Sequence, residues 1–555
     1  MDVYMPRDAG KENQDLQLKN GLIVDGTGNK PVTANLLIRS GRIHRISAQT
    51  IRSGGVAIDC TGRVVAPGFI DAHSHLDWHL PLKGHDDLKY PFLAQGITTV
   101  VGGNCGWAPA GLRESTRWRE QVADNPISNG QLPVSWDTVE ELFDRLQGSG
   151  MSHNLTLLAG HGSSRVSIRG LDSSPLHPYE SKELLGLLEI AMDQGARGVS
   201  VGLQLAPGLF AYPEELKEIA SLVRHKGKIL AIHPRTVSAA APGHSVRSFS
   251  ETCNIAALRE ALDLARRTGV RLQVSHLAFL GPRTWHTAET ALRLIDQALS
   301  DGLDVRFDAC GVDAAVSRVS SMLSPWFLAR GAAAFEDAEA VKKLRKEVRR
   351  AERQLGLLSL DIGVSDISNP DLLEYNDKSL AEISRLRRLS PTDALIEIAR
   401  RSAGRARLLF RKMGNDRLLA ELIRHRACLF MTGAAVERPH AENPAAFGGL
   451  VRVLQVAREQ KILPVEETVR RMTGATAERF DIRDRGLLKE GLAADIVVFD
   501  WDNVRDNSAA ADGNRTPEGI DYVFVNGRKI IGAGKKESPL NAGVPVRSPR
   551  KIRTE

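Results

Sequence analysis

Between residues 64 and 432, short apolar, β-branched runs alternate with longer amphipathic stretches, and this alternation constrains the fold more than any other feature. The runs fall at 64–71, 97–102, 154–159, 198–203, 229–233, 272–276, 305–308 and 428–432, with helical patterns such as 183–194 and 288–298 between them. Strand, helix, strand in succession brings the strands together in parallel. Eight such units fit a closed (β/α)8 TIM-like barrel better than an open sheet, so the expected fold class is α/β. The gap from 308 to 428 is far too long for one crossover, which predicts an inserted helical subdomain at about 320–410. Short strands and turns also mark both flanks, at 17–47 and again at 494–500 and 522–527. They predict one small β-sandwich domain built from 16–65 with 483–535, attached to a barrel of 66–482. Residues 1–15 read as a polar tail and 536–555, rich in Ser, Pro, Gly and Arg, as a basic and loose one.

Composition narrows the function classes. The 555 residues carry 74 Lys+Arg against 67 Asp+Glu, a net of 74 − 67 = +7, with 42% hydrophobic and 25% charged residues. These values are those of a soluble globular protein and exclude a disordered chain, a collagen-like fibre and a disulfide-dense mini-protein. The basic excess sits in the tail and in a mixed-charge stretch around Lys342-Lys343-Leu344-Arg345-Lys346, and neither is interleaved with aromatics. A solvated face and a loose tail are expected, not a nucleic-acid site. The first twenty residues lack an apolar leader, and no apolar run reaches about 18 residues, so neither a secretory signal nor a membrane span is expected. Five scattered cysteines, Cys60, Cys105, Cys253, Cys310 and Cys428, point to reduced thiols and a cytoplasmic setting.

In a parallel barrel the site lies at the C-terminal ends of the strands, so the residues closing each run matter most. The first run closes in Asp71-Ala72-His73-Ser74-His75, and alternation puts both imidazoles on one face, able to reach one metal. The second closes in Gly103-Asn104-Cys105-Gly106, where glycines allow close backbone approach to a thiol that can ligate zinc. The fifth closes in His233-Pro234-Arg235 and the sixth in Ser275-His276. Four imidazoles and a thiolate at one barrel mouth form a borderline-soft donor set that suits zinc. Arg235, two residues past a candidate ligand, is a candidate for a substrate oxygen, with a structural ion pair the equal alternative.

These residues bring a resemblance into view. The chain resembles the amidohydrolase superfamily, and within it the N-acyl-D-amino-acid deacylases (D-aminoacylases), over about residues 17–535. The resemblance rests on residues 67–75 (Pro-Gly-Phe-Ile-Asp-Ala-His-Ser-His), 95–106, Gly160-His161-Gly162, 198–203, Ser275-His276-Leu277 and 491–500. It implies a metal-bearing barrel with a small β-sandwich and a helical insertion. It further implies that Cys105, His233 and His276 hold a tighter zinc, with His73 and His75 at a second, weaker position, and leaves the number of metals open.

The chain also departs from that pattern. The family ends its eighth strand in a Ser-Asp-Gly-type motif whose aspartate moves a proton, whereas this chain reads Phe430-Met431-Thr432-Gly433-Ala434. A threonine hydroxyl is not a carboxylate base near neutral pH, and general acid–base help is worth about 10²–10⁴-fold. Asp308, His161, Glu437 and His440 are the candidates for taking over the proton, and His161 is also a substrate-binding candidate. The family's lysine after the sixth strand is Ala278, its tyrosine after the seventh gives way to Cys310-Gly311, and its arginine past the eighth gives way to 443–448. In the family these groups grip the α-carboxylate of the acyl amino acid, so the resemblance implies that the usual anionic substrate has no obvious clamp here. Two readings follow. One is a zinc-dependent hydrolase of amide-type C–N bonds in a small molecule without that carboxylate. The other is a metal-binding homologue with impaired hydrolysis: a scaffold or partner subunit, or a user of the metal for amide formation or decarboxylation. A homo-oligomer or a partner chain stays open in either case.

Overall fold

A computed structural model of the chain describes residues 15–128, 130–240, 251–436, 438, 443–508, 515–537 and 539–548. Eight parallel strand positions close a barrel, in agreement with the alternation in the sequence. They are Phe69–Asp71, Ile97–Gly102, Asn154–Leu157 continued by Ala159–Gly160, Gly198–Gly202, Ile229–His233, Arg271–Val274, Val305–Cys310 and Cys428–Met431. Closure between the last and the first strand runs through Ala72 N–H to Phe430 O at 3.2 Å and Gly433 N–H to His73 O at 2.8 Å. The strands are buried along their length because helices cover them outside and their own side chains fill them inside. A representative cover is the helix Pro178–Asp193, which starts on a proline at its first position and turns Leu184, Leu188 and Ala191 to the barrel.

A nine-stranded sheet joins both ends of the chain. Its central contact is antiparallel, Val64–Pro67 against Ile496–Phe499, with Pro67 opposite Ile496 and Val64 opposite Phe499. The run 64–71 is therefore two strands. Val64–Pro67 belongs to this sheet and Phe69–Asp71 to the barrel, and Gly68 is the hinge. A Cβ there would stand 2.3 Å from the Thr98 side chain, so only glycine lets the chain pass. Beneath the junction the carboxylate of Asp495 accepts from Asn154 of the barrel at 2.9 Å and from the Asn526 amide at 2.7 Å, and it pairs with buried Arg485.

The insertion differs from its expected helical character. Ala314–Arg318, Arg407–Arg411 and Ile362–Asp366 form a three-stranded antiparallel sheet, packed under Ala338–Leu355, Leu380–Arg387 and Pro391–Arg401 around a core of its own. The strands are only five residues each and lie between long helices, so the helical period dominates the sequence. The basic run lies on the outer face of Ala338–Leu355, where Lys343 sits 4.0 Å over the Trp326 ring and Lys342 pairs with Glu339 at 3.2 Å.

The segment after 536 is also corrected in part. Residues 539–548 are packed, with Leu540, Ala542 and Val546 buried. Leu155 N–H donates to Val544 O at 3.1 Å and Val546 N–H to Leu155 O at 2.7 Å, while Arg197 donates to the carbonyls of Val546 and Arg547 at 3.1 and 2.9 Å. Backbone pairing to the third barrel strand, which composition does not reveal, holds it in place. Among the described residues no helix is long and apolar enough to cross a membrane.

Candidate metal centre

The strand ends deliver their side chains to one point. Cys105 Sγ lies 3.3 Å from His73 Nε2, 3.7 Å from His75 Nε2, 3.2 Å from His233 Nδ1 and 3.2 Å from His276 Nε2. The donor atoms of His73, His75, Cys105 and His276 all lie within 4.8 Å of one another. Sulfur and nitrogen bound to one tetrahedral zinc stand roughly 3.5 Å apart, given bond lengths of about 2.3 and 2.0–2.1 Å, so the spacing suits such an ion. Four imidazoles thus surround the one sulfur, with His233 beside the thiol at 3.2 Å but outside that group of four.

The chemistry of the donors agrees. Burial pushes His75 down to about 3 and His233 to about 4, and holds His73 and His276 well below the usual imidazole range. All four are thus neutral, the form that binds metal. Burial, aided by Asp308 and Asp77, pushes the Cys105 thiol well up. A thiol among neutral imidazoles loses its proton when a cation takes it as a ligand.

The backbone is bent to make this geometry. Cys105 and His276 both adopt left-handed conformations, φ +55° and +54°, which cost non-glycine residues roughly 1–3 kcal/mol each. Gly103 (φ +72°) and Gly106 (φ +79°) flank the cysteine, and a Cβ on Gly103 would stand 2.0 Å from Leu158 O. Ser200 Oγ accepts from Gly106 N–H at 3.0 Å and donates to Gly103 O, while Asp77 accepts from Gly103 N–H at 2.9 Å. His276 is held by its N–H donating to Asp308 Oδ1 at 2.9 Å.

Asp308, pushed up to about 7 by burial, stands behind the donors. Its Oδ2 accepts from Gln273 at 2.9 Å, and its Oδ1 lies 3.6 Å from His73 Nδ1. Gln204 Oε1 lies 3.1 Å from His233 Nε2 and fixes that ring from the other side. Thr432 is spoken for: its N–H and Oγ1–H donate to Asp71 Oδ1 and Oδ2 at 3.0 and 2.5 Å. Burial raises Asp71 to about 6, against the lowering effect of these Thr432 bonds.

Two expected site residues point elsewhere. Arg235 forks onto Glu260 at 3.0 and 2.8 Å and donates to Leu209 O and Ala211 O, both at 3.2 Å, which is the structural alternative. His161 Nε2 lies 2.6 Å from Glu215, with Arg165 on the same carboxylate at 3.5 Å. Neither residue lines the cavity onto which the donors open. Glu437 and His440 fall outside the described residues.

The donors open onto a cavity of about 860 Å³, lined by His75, Cys105, His233, His276 and Thr432 as well as by the insertion. Ala278, Cys310 and Gly311 are in its wall, where the resemblance would put a lysine and a tyrosine. Arg407 of the insertion, which sequence reasoning missed, is a buried part of the wall; it donates to Pro126 O at 3.1 Å, and its charge helps keep His75 neutral. Asp77, Ser200 and Gln204 were missed as well, since nothing in their local spacing marks them.

Comparison with known proteins agrees with this picture. The amidohydrolase family profile matches residues 56–168 and 432–531. N-acyl-D-glutamate deacylase of Alcaligenes xylosoxydans xylosoxydans is 28% identical over 531 residues, 94% of each chain. D-aminoacylase of the same organism is 27% identical over 529 residues, covering 93% of this chain and 94% of that one. The crystal structure of N-acyl-D-glutamate deacylase from Bordetella bronchiseptica, complexed with zinc and a phosphonate inhibitor, superposes with a TM-score of 0.77 at 27% identity, over 97% of this chain and 100% of the other.

Proposed function

We propose that this chain, similar to D-aminoacylases along most of its length, is a zinc-dependent hydrolase of an amide-type C–N bond in a small molecule that presents no α-carboxylate at the usual wall. One observation carries the reading: four imidazole nitrogens surround one thiol at 3.2–3.7 Å at the base of a cavity large enough for a small organic substrate. His73, His75, Cys105, His233 and His276 are the residues that would hold zinc, which would supply Lewis acidity toward the scissile carbonyl and lower the pKa of water toward neutrality.

The chain's own residues do the rest. Asp308, through the backbone N–H of His276, and Gln204, beside His233 Nε2, position two of the four imidazoles. Thr432 stands where the resemblance would put an aspartate; the residue lines the cavity, and its Oγ1 donates to Asp71 Oδ2 and accepts from Ala434 N–H at 3.3 Å. We assign proton transfer to this pair: Thr432 Oγ1 takes the proton of the attacking water as its own passes to Asp71, and the reverse passage protonates the leaving nitrogen. A hydroxyl relay of this kind gives a threonine what it lacks alone, a carboxylate to receive the proton. Asp308, with both oxygens occupied behind the donors, is a positioning residue.

The test is turnover by the zinc-loaded protein on a panel of uncharged amides, cyclic imides and N-acyl amino acids, alongside Cys105→Ala and Thr432→Ser. Hydrolysis of uncharged amides, abolished in Cys105→Ala and retained in Thr432→Ser, is the expected result. A protein that holds zinc yet turns over nothing on the panel would be the non-hydrolytic homologue instead.

A further inference from the structure

The cavity extends past the donors, and one side of it is a continuous apolar wall. Leu277, Ala278, Phe279 and Leu280 follow the sixth barrel strand along it, joined by Val237 and, from the insertion, Met413. Backbone bonds stitch these segments together: Phe279 N–H donates to Met413 O at 3.0 Å and Leu280 N–H to Val237 O at 3.0 Å. The wall is thus held together by main-chain bonds across three segments. Arg407, Arg411, Arg417 and Arg452 line other parts of the cavity; Arg407 donates to Pro126 O at 3.1 Å and Arg417 pairs with Glu421 at 3.1 Å. Arg452 is paired with Asp416 at 2.8 Å, and the carboxyls of Asp313 and Asp506, both in the lining, are raised by burial. Ala278, half-buried in the middle of this wall, takes the place where the resemblance implies a lysine.

We infer that this wall binds the bulky apolar half of a neutral amide, an alkyl or aryl group far larger than acetyl. The inference rests on the hydrolase reading for the amide and on the wall alone for the apolar group. A cavity of about 860 Å³ lies within the range that encloses whole organic ligands, and an acetyl group would leave most of it to water. Each methylene moved from water onto the wall raises kcat/KM by roughly fourfold until the space is filled.

Two substrate series and one binding probe test this. N-acyl methylamides with acetyl, butanoyl and octanoyl groups lengthen the acyl half; N-acetyl alkylamines of the same lengths extend the amine half. The expected result is a rise on the order of 10² from butanoyl to octanoyl, or its mirror in the amine series, which tells which half the wall takes. Calorimetry of 1-octanol with zinc-free protein reads the wall without catalysis, and binding with a negative heat-capacity change is expected. Ala278→Lys should cut octanol affinity at least tenfold, and Met413→Gln does the same duty if the lysine variant does not fold. A flat series with no octanol binding overturns the inference while leaving the hydrolase standing; so does a preference for N-acyl amino acids over neutral amides. Octanol binding without any hydrolysis supports the wall and counts against the hydrolase.

Discussion

Replacing Thr432 by valine removes one hydroxyl and almost no volume at a residue that is 2% exposed. What is lost is the Oγ1–H bond to Asp71 Oδ2, together with the longer bond that Oγ1 accepts from Ala434 N–H at 3.3 Å. The carboxylate keeps its bonds from His73 N–H at 3.1 Å, Thr432 N–H at 3.0 Å and the Ser74 side chain, so the charge is not orphaned. A hydrogen bond to a charged group is worth about 1.5–3 kcal/mol, which sets an expected loss of about 2 kcal/mol. The loss carries a pH signature in zinc-free protein. The pKa of Asp71 is raised to about 6 in the fold, so Asp71 is protonated there below that pH and charged above it. The native state binds the extra proton, and stability falls as pH rises from the unfolded value, about 3.9, to the folded one. The Thr432 hydroxyl offsets this cost only while Asp71 is charged, so Thr432→Val should cost most near pH 8 and little near pH 5. Chemical and thermal unfolding of zinc-free wild type, Thr432→Val and Thr432→Ser at both pH values is the assay, with serine restoring most of the stability. An equal loss at both pH values, or no rescue by serine, would refute the pairing and with it the proton relay.

Arg235→Met should leave zinc content and kcat unchanged but lower stability by about 2 kcal/mol, because Arg235 holds Glu260 and two carbonyls; a raised KM with unchanged melting would restore its substrate role. For Glu215, burial acts to raise the pKa but is outweighed by His161 and Arg165, leaving it below the ordinary value. Its contribution is full above the unfolded pKa and fades as pH falls through the folded one, so the stability gap to Glu215→Gln should persist at pH 6–8 and close below about pH 4; a gap that widens in acid contradicts the pairing. A chain ending at residue 538 should melt several degrees lower, since it strands Arg197 and the pairing groups of Leu155; unchanged melting would return 539–548 to the status of a loose tail.

Much of the barrel is legible in the sequence because its signals are local. A β-branched run of four to six residues closing in a histidine or cysteine names both the strand and the end that carries chemistry, as at His73, His75, Cys105, His233 and His276. What positions those residues is not local. Asp71 meets Thr432 across 361 positions, Gln204 meets His233 across 29 and Asp77 meets Gly103 across 26. Such pairings follow from barrel closure and loop path, which composition and period do not encode. Arg235 shows the converse: its place two residues past a ligand suggested substrate, yet the strand's alternation ends at His233, and the following turn sends the guanidinium toward Glu260. The insertion's sheet escaped notice because its five-residue strands pair across gaps filled by helices.

Everything proposed for this chain depends on zinc bound among four imidazoles and the Cys105 thiol. The most direct measurement is elemental analysis of freshly purified wild type and Cys105→Ala. Zinc at about one equivalent or more per chain in the wild type, lost in the variant, is the predicted result. Wild-type protein that folds normally yet holds no zinc, even after exposure to it, would contradict the account.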